Sequence, residues 1–392
     1  MKRVLLLLFV SIASVHCFAQ QPLSNDKGGT TAKNYYQEIP YEDINGKMII
    51  NVTVKGKAYR FLFDTGAPVL IGKEFITIAD AIPVQAGQVT DVNEASSAVS
   101  ILRVPGLTLG NVEFKDIQAP GYLPDFYKCW GVVGSIGSNL LRTSIVQIDS
   151  KKHVIILTDQ PDKLSLAGKQ SIPLILDTIQ SDPKIKVILG NNSDMTLGFD
   201  TGDNGFLRIP EYYMTGLKKS NVFKLLAKGY GASQVGTSGL EKNNEKYMLT
   251  FPVFNVGDVK FKNVIVATSK NNIPGIGAKL LDYGIVTLDF INSKFYFDAT
   301  TQSLDLNEKQ WPFQPGFAGN QLTVGVVWEK GQKLVKLGEQ IIDIDGTPFT
   351  SVDLCYLINK KAILQGKEKA TVTVKSATGE LRKVEMQKEF LK

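Results

Sequence analysis

Histidine and cysteine are nearly missing from this chain. Among 392 residues there are two His, His16 and His153, and three Cys, Cys17, Cys129 and Cys355. So few ligands exclude a His-rich metal site, a Cys-rich zinc module and a disulfide scaffold. A Ser-His-Asp or Cys-His enzyme would have to rest on His153 alone, so acid–base chemistry falls mainly to carboxylates. Beyond the first twenty residues no stretch is apolar and long enough to span a bilayer. The net charge of +6 is thinly spread, with no basic run interleaved with aromatics to suggest nucleic acid. Phosphate-cradling loops, EF-hands and dinucleotide fingerprints are absent, and no cofactor is implied.

What is present begins at the N-terminus. Lys2 and Arg3 precede an apolar run over residues 4–13, which closes on Cys17-Phe18-Ala19-Gln20. That pattern predicts a secretory signal over 1–19, cleaved after Ala19, and an exported protein, periplasmic or secreted. Lipid modification at Cys17 is the weaker alternative, because His16 stands where a small residue is needed. Cleavage removes two cations and lowers the net charge from +6 to +4. It leaves Cys129 and Cys355, which read as two separate buried thiols rather than a pair. His153, in the turn before an apolar strand, reads as structural.

The chain repeats itself once. Arg60-Phe61-Leu62-Phe63-Asp64-Thr65-Gly66-Ala67 returns as Thr196-Leu197-Gly198-Phe199-Asp200-Thr201-Gly202-Asp203. Leu109-Gly110-Asn111-Val112 returns as Val256-Gly257-Asp258-Val259, and Ile136-Gly137-Ser138-Asn139-Leu140-Leu141 as Ile276-Gly277-Ala278-Lys279-Leu280-Leu281. Each Leu pair is followed, at equal spacing, by an apolar strand ending in Asp149 or Asp289. Four blocks in the same order indicate duplication. Short apolar runs such as 48–54, 59–63, 145–148 and 154–157 predict a mainly β chain, with short helices at 210–217 and 354–364.

An apolar strand running into Asp-Thr-Gly places a carboxylate at a sharp turn, where bare amides can donate to it. One such Asp is an ordinary turn residue. Two, each opening a copy of a duplicated unit, would be brought carboxylate to carboxylate by a pseudo-two-fold axis. The paired motifs resemble those of the aspartic proteases, pepsin-like in their bilobal architecture and retroviral-type in motif. The resemblance covers roughly residues 40–300. It implies two β-barrel lobes, 20–165 and 166–305, with Asp64 and Asp200 as the catalytic dyad. Thr65, Gly66, Thr201 and Gly202 would then support the catalytic loops, the threonines locking them together across the axis. A hairpin flap is expected at 88–102, with a longer counterpart at 227–250. Departures from the family pattern are Ser135 and Gly275, where it has apolar residues, and Asp203, where it has Ser, Thr or Ala. Asp203 either faces the dyad, adding like charge, or caps its own turn.

Past Thr301 the repeat stops, and 306–315 reads as a linker. Leu337-Gly338-Glu339-Gln340-Ile341-Ile342-Asp343-Ile344-Asp345-Gly346 then resembles the signature of PDZ domains, with Glu339 in place of an Asp. The resemblance implies a small α+β module over 316–392, with a groove helix at 354–364 and closing strands at 370–374 and 383–386. Gly316, Phe317, Ala318 and Gly319 would form its carboxylate-binding loop. The whole reads as an exported monomeric aspartic endopeptidase acting on peptide or protein substrates. The alternative is a catalytically inactive retropepsin-like protein that binds peptides.

Overall fold

The computed structural model describes residues 24–90, 96–233, 235–236, 239–270, 273–360 and 362–391. The expected signal segment lies outside them. Strand makes up 51% of the structure and helix 12%, so the fold is mainly β. Among the described residues no helix is long and apolar enough to cross a membrane.

The duplication is written in the strand order. A six-stranded antiparallel sheet runs Tyr36–Pro40, Val154–Thr158, Ile145–Asp149, Gly284–Asp289, Lys294–Ala299 and Ile172–Leu176. Its two central strands are the copies that end in Asp149 and Asp289. They pair with each other, Ile145 opposite Asp289 and Ile148 opposite Val286. Both aspartates close the following turn by accepting a backbone N–H, from Lys152 and from Asn292. His153 lies in the first of these turns and stacks on Tyr41 with ring centroids 5.3 Å apart.

On this base each half builds a sheet that carries one Asp-Thr-Gly. In the first half Lys47–Val54 and Lys57–Phe63 form a hairpin through Lys55 and Gly56, both at positive φ. That geometry suits the twist of a two-residue turn. Lys57–Phe63 then pairs in parallel with Gly134–Ile136. In the second half Ser193–Asp200 pairs in parallel with Gly275–Gly277. Phe61, Phe63, Phe199 and Ile276 are buried here in one apolar cluster that runs from Tyr35 to Phe295 and takes in both halves. The sheets are not closed barrels, contrary to the expectation from sequence. The eight-stranded sheet of the first half ends on Leu70–Ile71 at one side and on Ile82–Thr90 at the other, and these strands do not pair. One is two residues long and the other projects outward, so neither can complete a ring.

The C-terminal segment has its own core, built from Phe313, Val324, Ile341, Val372 and Val374 among others. The expected linker over 306–315 is partly structural. Gln310 exchanges backbone hydrogen bonds with Glu389, and Phe313–Ala318 is a strand with Phe313 fully buried. Pro315, which lacks an N–H, sits at a bulge in that strand. Of the expected groove helix only Leu354–Asn359 is helical, capped by Asp353 Oδ1, which accepts from the Tyr356 N–H at 2.6 Å.

Two attachments bind this segment to the rest. Gln321–Trp328 pairs with Lys224–Gly231, Gly229 opposite Trp328. Cys129, in the 3-10 helix Asp125–Trp130, and Cys355 form a disulfide across 226 residues of sequence. The reading of two separate thiols is therefore corrected. Docking of Leu354–Asn359 on the 3-10 helix brings them together. Asn359 Nδ2 donates to Cys129 O at 2.8 Å, Asn45 Nδ2 donates to Ile358 O at 3.0 Å, and Ile358 packs against a cluster containing Tyr127 and Trp130. A bond closing so long a loop is expected to stabilise by up to about 5 kcal/mol through the unfolded chain. Cys129→Ser with Cys355→Ser should lower the urea midpoint accordingly. A wild-type midpoint indifferent to thiol reductant would contradict this.

Candidate active site

Both Asp-Thr-Gly loops emerge where a parallel strand pair runs out. The Asp64 N–H donates to Ile136 O at 2.9 Å, and Asp200 lies opposite Gly277 in the parallel register. The hydrophobic-Gly elements pack directly under the loops. A Cβ on Gly137 would fall 2.1 Å from Ala67 O, and one on Gly277 2.3 Å from Gly205 O. The Ser138 and Ala278 N–H groups donate to Ala67 O and Asp203 O at 3.0 and 2.7 Å.

The two loops meet face to face. A Cβ on Gly66 would lie 2.4 Å from Asp200 Cγ, and one on Gly202 2.5 Å from Asp64 Oδ1. Glycine is required at each position by the opposite carboxylate. The Gly66 N–H donates to Asp64 Oδ1 at 3.1 Å and the Gly202 N–H to Asp200 Oδ1 at 2.8 Å. Asp64 is buried, and the two carboxyl groups lie within hydrogen-bonding reach of each other.

Thr65 and Thr201 interlock across the axis. Thr65 Oγ1 donates to Phe199 O at 2.7 Å and accepts from the Thr201 N–H at 3.1 Å. Reciprocally, Thr201 Oγ1 donates to Phe63 O at 3.0 Å and accepts from the Thr65 N–H at 3.0 Å. Both residues are fully buried, so water cannot replace a lost partner. Thr201→Val leaves a buried N–H and a buried C=O unpaired and is expected to cost about 2–4 kcal/mol, which Thr201→Ser should largely restore. Chemical denaturation of both variants checks it; equal midpoints for Val and Ser would refute it.

Burial, and then the neighbouring Asp200, push the Asp64 carboxyl up to about 7, with Lys47 acting in the opposite direction. Lys47 Nζ donates to Gly202 O, and Gln180 Nε2 donates to Gly66 O at 3.3 Å, so each glycine carbonyl is held by a donor from the other half. Burial lowers the Lys47 pKa, opposed by Asp203, Asp64 and Asp200. Tyr127 is buried nearby; burial, then the charges of Asp64 and Asp200, raise its hydroxyl well above the usual value. Asp182 is pushed up to about 6, chiefly by burial, while Lys184 opposes the shift.

Asp203 takes the capping role of the two foreseen for it, and its second oxygen goes to an arginine. Oδ1 caps the turn by accepting from the Gly205 N–H at 2.7 Å, and Oδ2 pairs with Arg208 Nη1. Arg208 in turn donates to Asp200 Oδ2 from Nη1 and Nη2, each at 3.3 Å.

No protein-family model and no curated protein matches this chain. The geometry alone must therefore carry the functional reading.

Lys47, Tyr127 and Arg208 were not singled out from sequence. A cation inside the otherwise apolar Phe206-Leu207-Arg208-Ile209, eight residues after Asp200, was the available signal for Arg208; Tyr127 offered none. The expected flap at 88–102 falls on the hairpin of Ile82–Thr90 and Ser96–Leu109, with residues 91–95 outside the described set. Its strands stay largely exposed as far as Ser100, so it projects from the body. The counterpart at 227–250 falls on Lys224–Gly231 and Asn244–Val256, but its outer edge is taken by the C-terminal segment. Gly316, Phe317, Ala318 and Gly319 do not form an open loop. The first three lie in strand Phe313–Ala318, and Gly319 with Asn320, both at positive φ, makes the tight turn into Gln321–Trp328.

Proposed function

We propose that this chain is an aspartic endopeptidase, with two duplicated lobes over residues 20–165 and 166–305 and a C-terminal PDZ-like module. The observation that carries the reading is the interlocked pair of loops, which sets Asp64 and Asp200 side by side against each other's glycine. Two adjacent carboxyl groups share one proton, because both cannot ionise cheaply at that separation. The ionised member takes a proton from a water between them as it attacks the scissile carbonyl, and the protonated member donates to the carbonyl oxygen. The Thr65–Thr201 lock keeps the pair rigid, so the water meets a pre-set geometry. The projecting hairpin at 82–109 serves as the flap. In the PDZ-like module an extended peptide would add to Phe313–Ala318, which pairs on one side only, with Gln321–Trp328, among the described residues. The apolar N-terminus and the Cys129–Cys355 disulfide support export to an oxidising compartment.

A second reading, a catalytically silent peptide-binding protein, draws on the Arg208 ion pair, which places a cation directly on Asp200. Incubation with a diverse peptide library from acid to neutral pH, with and without a statine-type inhibitor, separates the two. Inhibitor-sensitive cleavage supports the enzyme. Binding without cleavage at any pH supports the silent protein.

A further inference from the structure

The two carboxylates of the pair sit in unlike surroundings, and one side chain makes the difference. In the parallel registers Phe63 lies opposite Ile136 and Phe199 opposite Ile276, which aligns Ser135 with Gly275 across the repeat. The strand following each loop pairs Leu70 with Ser135 in the first half and Arg208 with Gly275 in the second. Arg208 therefore occupies the position that buried Leu70 fills in the other copy.

Three departures from internal symmetry meet at this guanidinium. A Cβ at Gly275 would lie 2.8 Å from Arg208 Nη2, so the glycine leaves the guanidinium its present place. Asp203, in place of Ala67, pairs with Nη1. Nε donates to Ile273 O at 2.7 Å, which leaves the fork aimed at Asp200 Oδ2. Burial works against the charge of Arg208, but Asp200 and Asp203 outweigh it. The counterpart residue in the first half is apolar Leu70. A planar, permanently charged fork with three fixed partners is well suited to hold one carboxylate in one orientation.

We propose that Arg208, clamped by Asp203 and seated over Gly275, is a positioning residue that holds Asp200 as the ionised member of the pair and so assigns the base role to Asp200 and the proton to Asp64. The inference rests on the proteolytic reading above. Asp200 is faced by Asp64 from the opposite loop, Lys47 from strand Lys47–Val54, Tyr127 from the 3-10 helix, Asp182 from the turn before Pro183–Leu189, and Asp203 and Arg208 from its own half. Of these, Arg208 is the cation bonded to its carboxylate.

The test uses the full chain, a peptide cleaved by the wild type, and the variants Arg208→Met and Arg208→Lys. In Arg208→Met kcat should fall roughly 10–100-fold at nearly constant KM as Asp200 loses its fixed orientation. With the bonded cation gone, the acid limb of the pH–rate profile should move to higher pH. Arg208→Lys should keep the limb near its wild-type place yet still lose kcat, because an ammonium cannot span Asp203, Asp200 and Ile273 O together. An unmoved acid limb in Arg208→Met, or a variant faster than the wild type, overturns the proposal. Carbon-13 titration of the aspartate carboxyls supplies a readout that needs no turnover. If the wild type cleaves nothing while the Asp200 titration moves up in Arg208→Met, the positioning stands and the proteolytic reading falls. If that titration does not move, the positioning falls.

Discussion

Asp64→Asn and Asp200→Asn are each expected to lower kcat/KM for peptide cleavage by on the order of 10³-fold or more while the protein remains folded. Hydrolysis needs one group to take a proton from water and one to give a proton to the carbonyl oxygen. An amide in either place cannot exchange a proton, so the surviving carboxyl cannot serve as both. The fold should tolerate the change, because Asn preserves the side-chain shape and its Oδ1 can still accept from the Gly66 or Gly202 N–H. The double variant should be little worse than either single one, as expected of groups that act together. Comparable turnover by a folded single variant would remove the shared-dyad mechanism.

The second large effect is on pH dependence. Since burial and Asp200 push the Asp64 carboxyl up to about 7, the singly protonated pair persists to near neutrality. If the pair is catalytic as proposed, the basic limb of the pH–rate profile is expected close to that value, and activity should extend outside any acid compartment. Stability follows with a definite sign. The folded state holds the Asp64 proton more tightly than the unfolded chain, whose ordinary value is 3.8. The associated stabilisation is full below that value and is lost as pH rises through about 7. The loss should amount to roughly 2–4 kcal/mol. Asp64→Asn removes this dependence and leaves the smaller one from Asp182, which is also raised. Urea midpoints of wild type and Asp64→Asn at about pH 5 and pH 8 decide it. The variant should be the more stable at the higher pH; parallel losses in both proteins would show that Asp64 does not carry the slope.

Much of the site was legible because its determinants are local and repeated. Phe63-Asp64-Thr65-Gly66 and Phe199-Asp200-Thr201-Gly202 each specify a buried strand, a carboxylate at its end and a glycine turn within four residues. The copies of the Ile-Gly-x-x-Leu-Leu element specify the support beneath. Spacing along the chain carries such information, and the strands over 47–63 and 145–158 followed the apolar pattern closely.

The remainder depended on which surfaces meet. Cys129 and Cys355 became a disulfide only because a short helix of the C-terminal segment docks on the 3-10 helix of the first half, 226 residues away. Whether the edges of strands pair is likewise not encoded within them. Phe313–Ala318 looked like linker and loop because its Pro and Gly serve a bulge and a close crossing with Gly325 rather than flexibility. Around the carboxylates, Asp203 and Gly275 stood out as departures from the repeat, but nothing in the chain order showed that they meet Arg208 or that Lys47 reaches the opposite loop. Their charges act through space over a few ångströms, across a strand pairing and between halves. The sequence by itself determined that two Asp-Thr-Gly turns exist and that each ends a buried strand. Only the tertiary structure decided that they interlock and that just one of them is held by an arginine. Identical motifs become inequivalent through neighbours the chain order does not reveal.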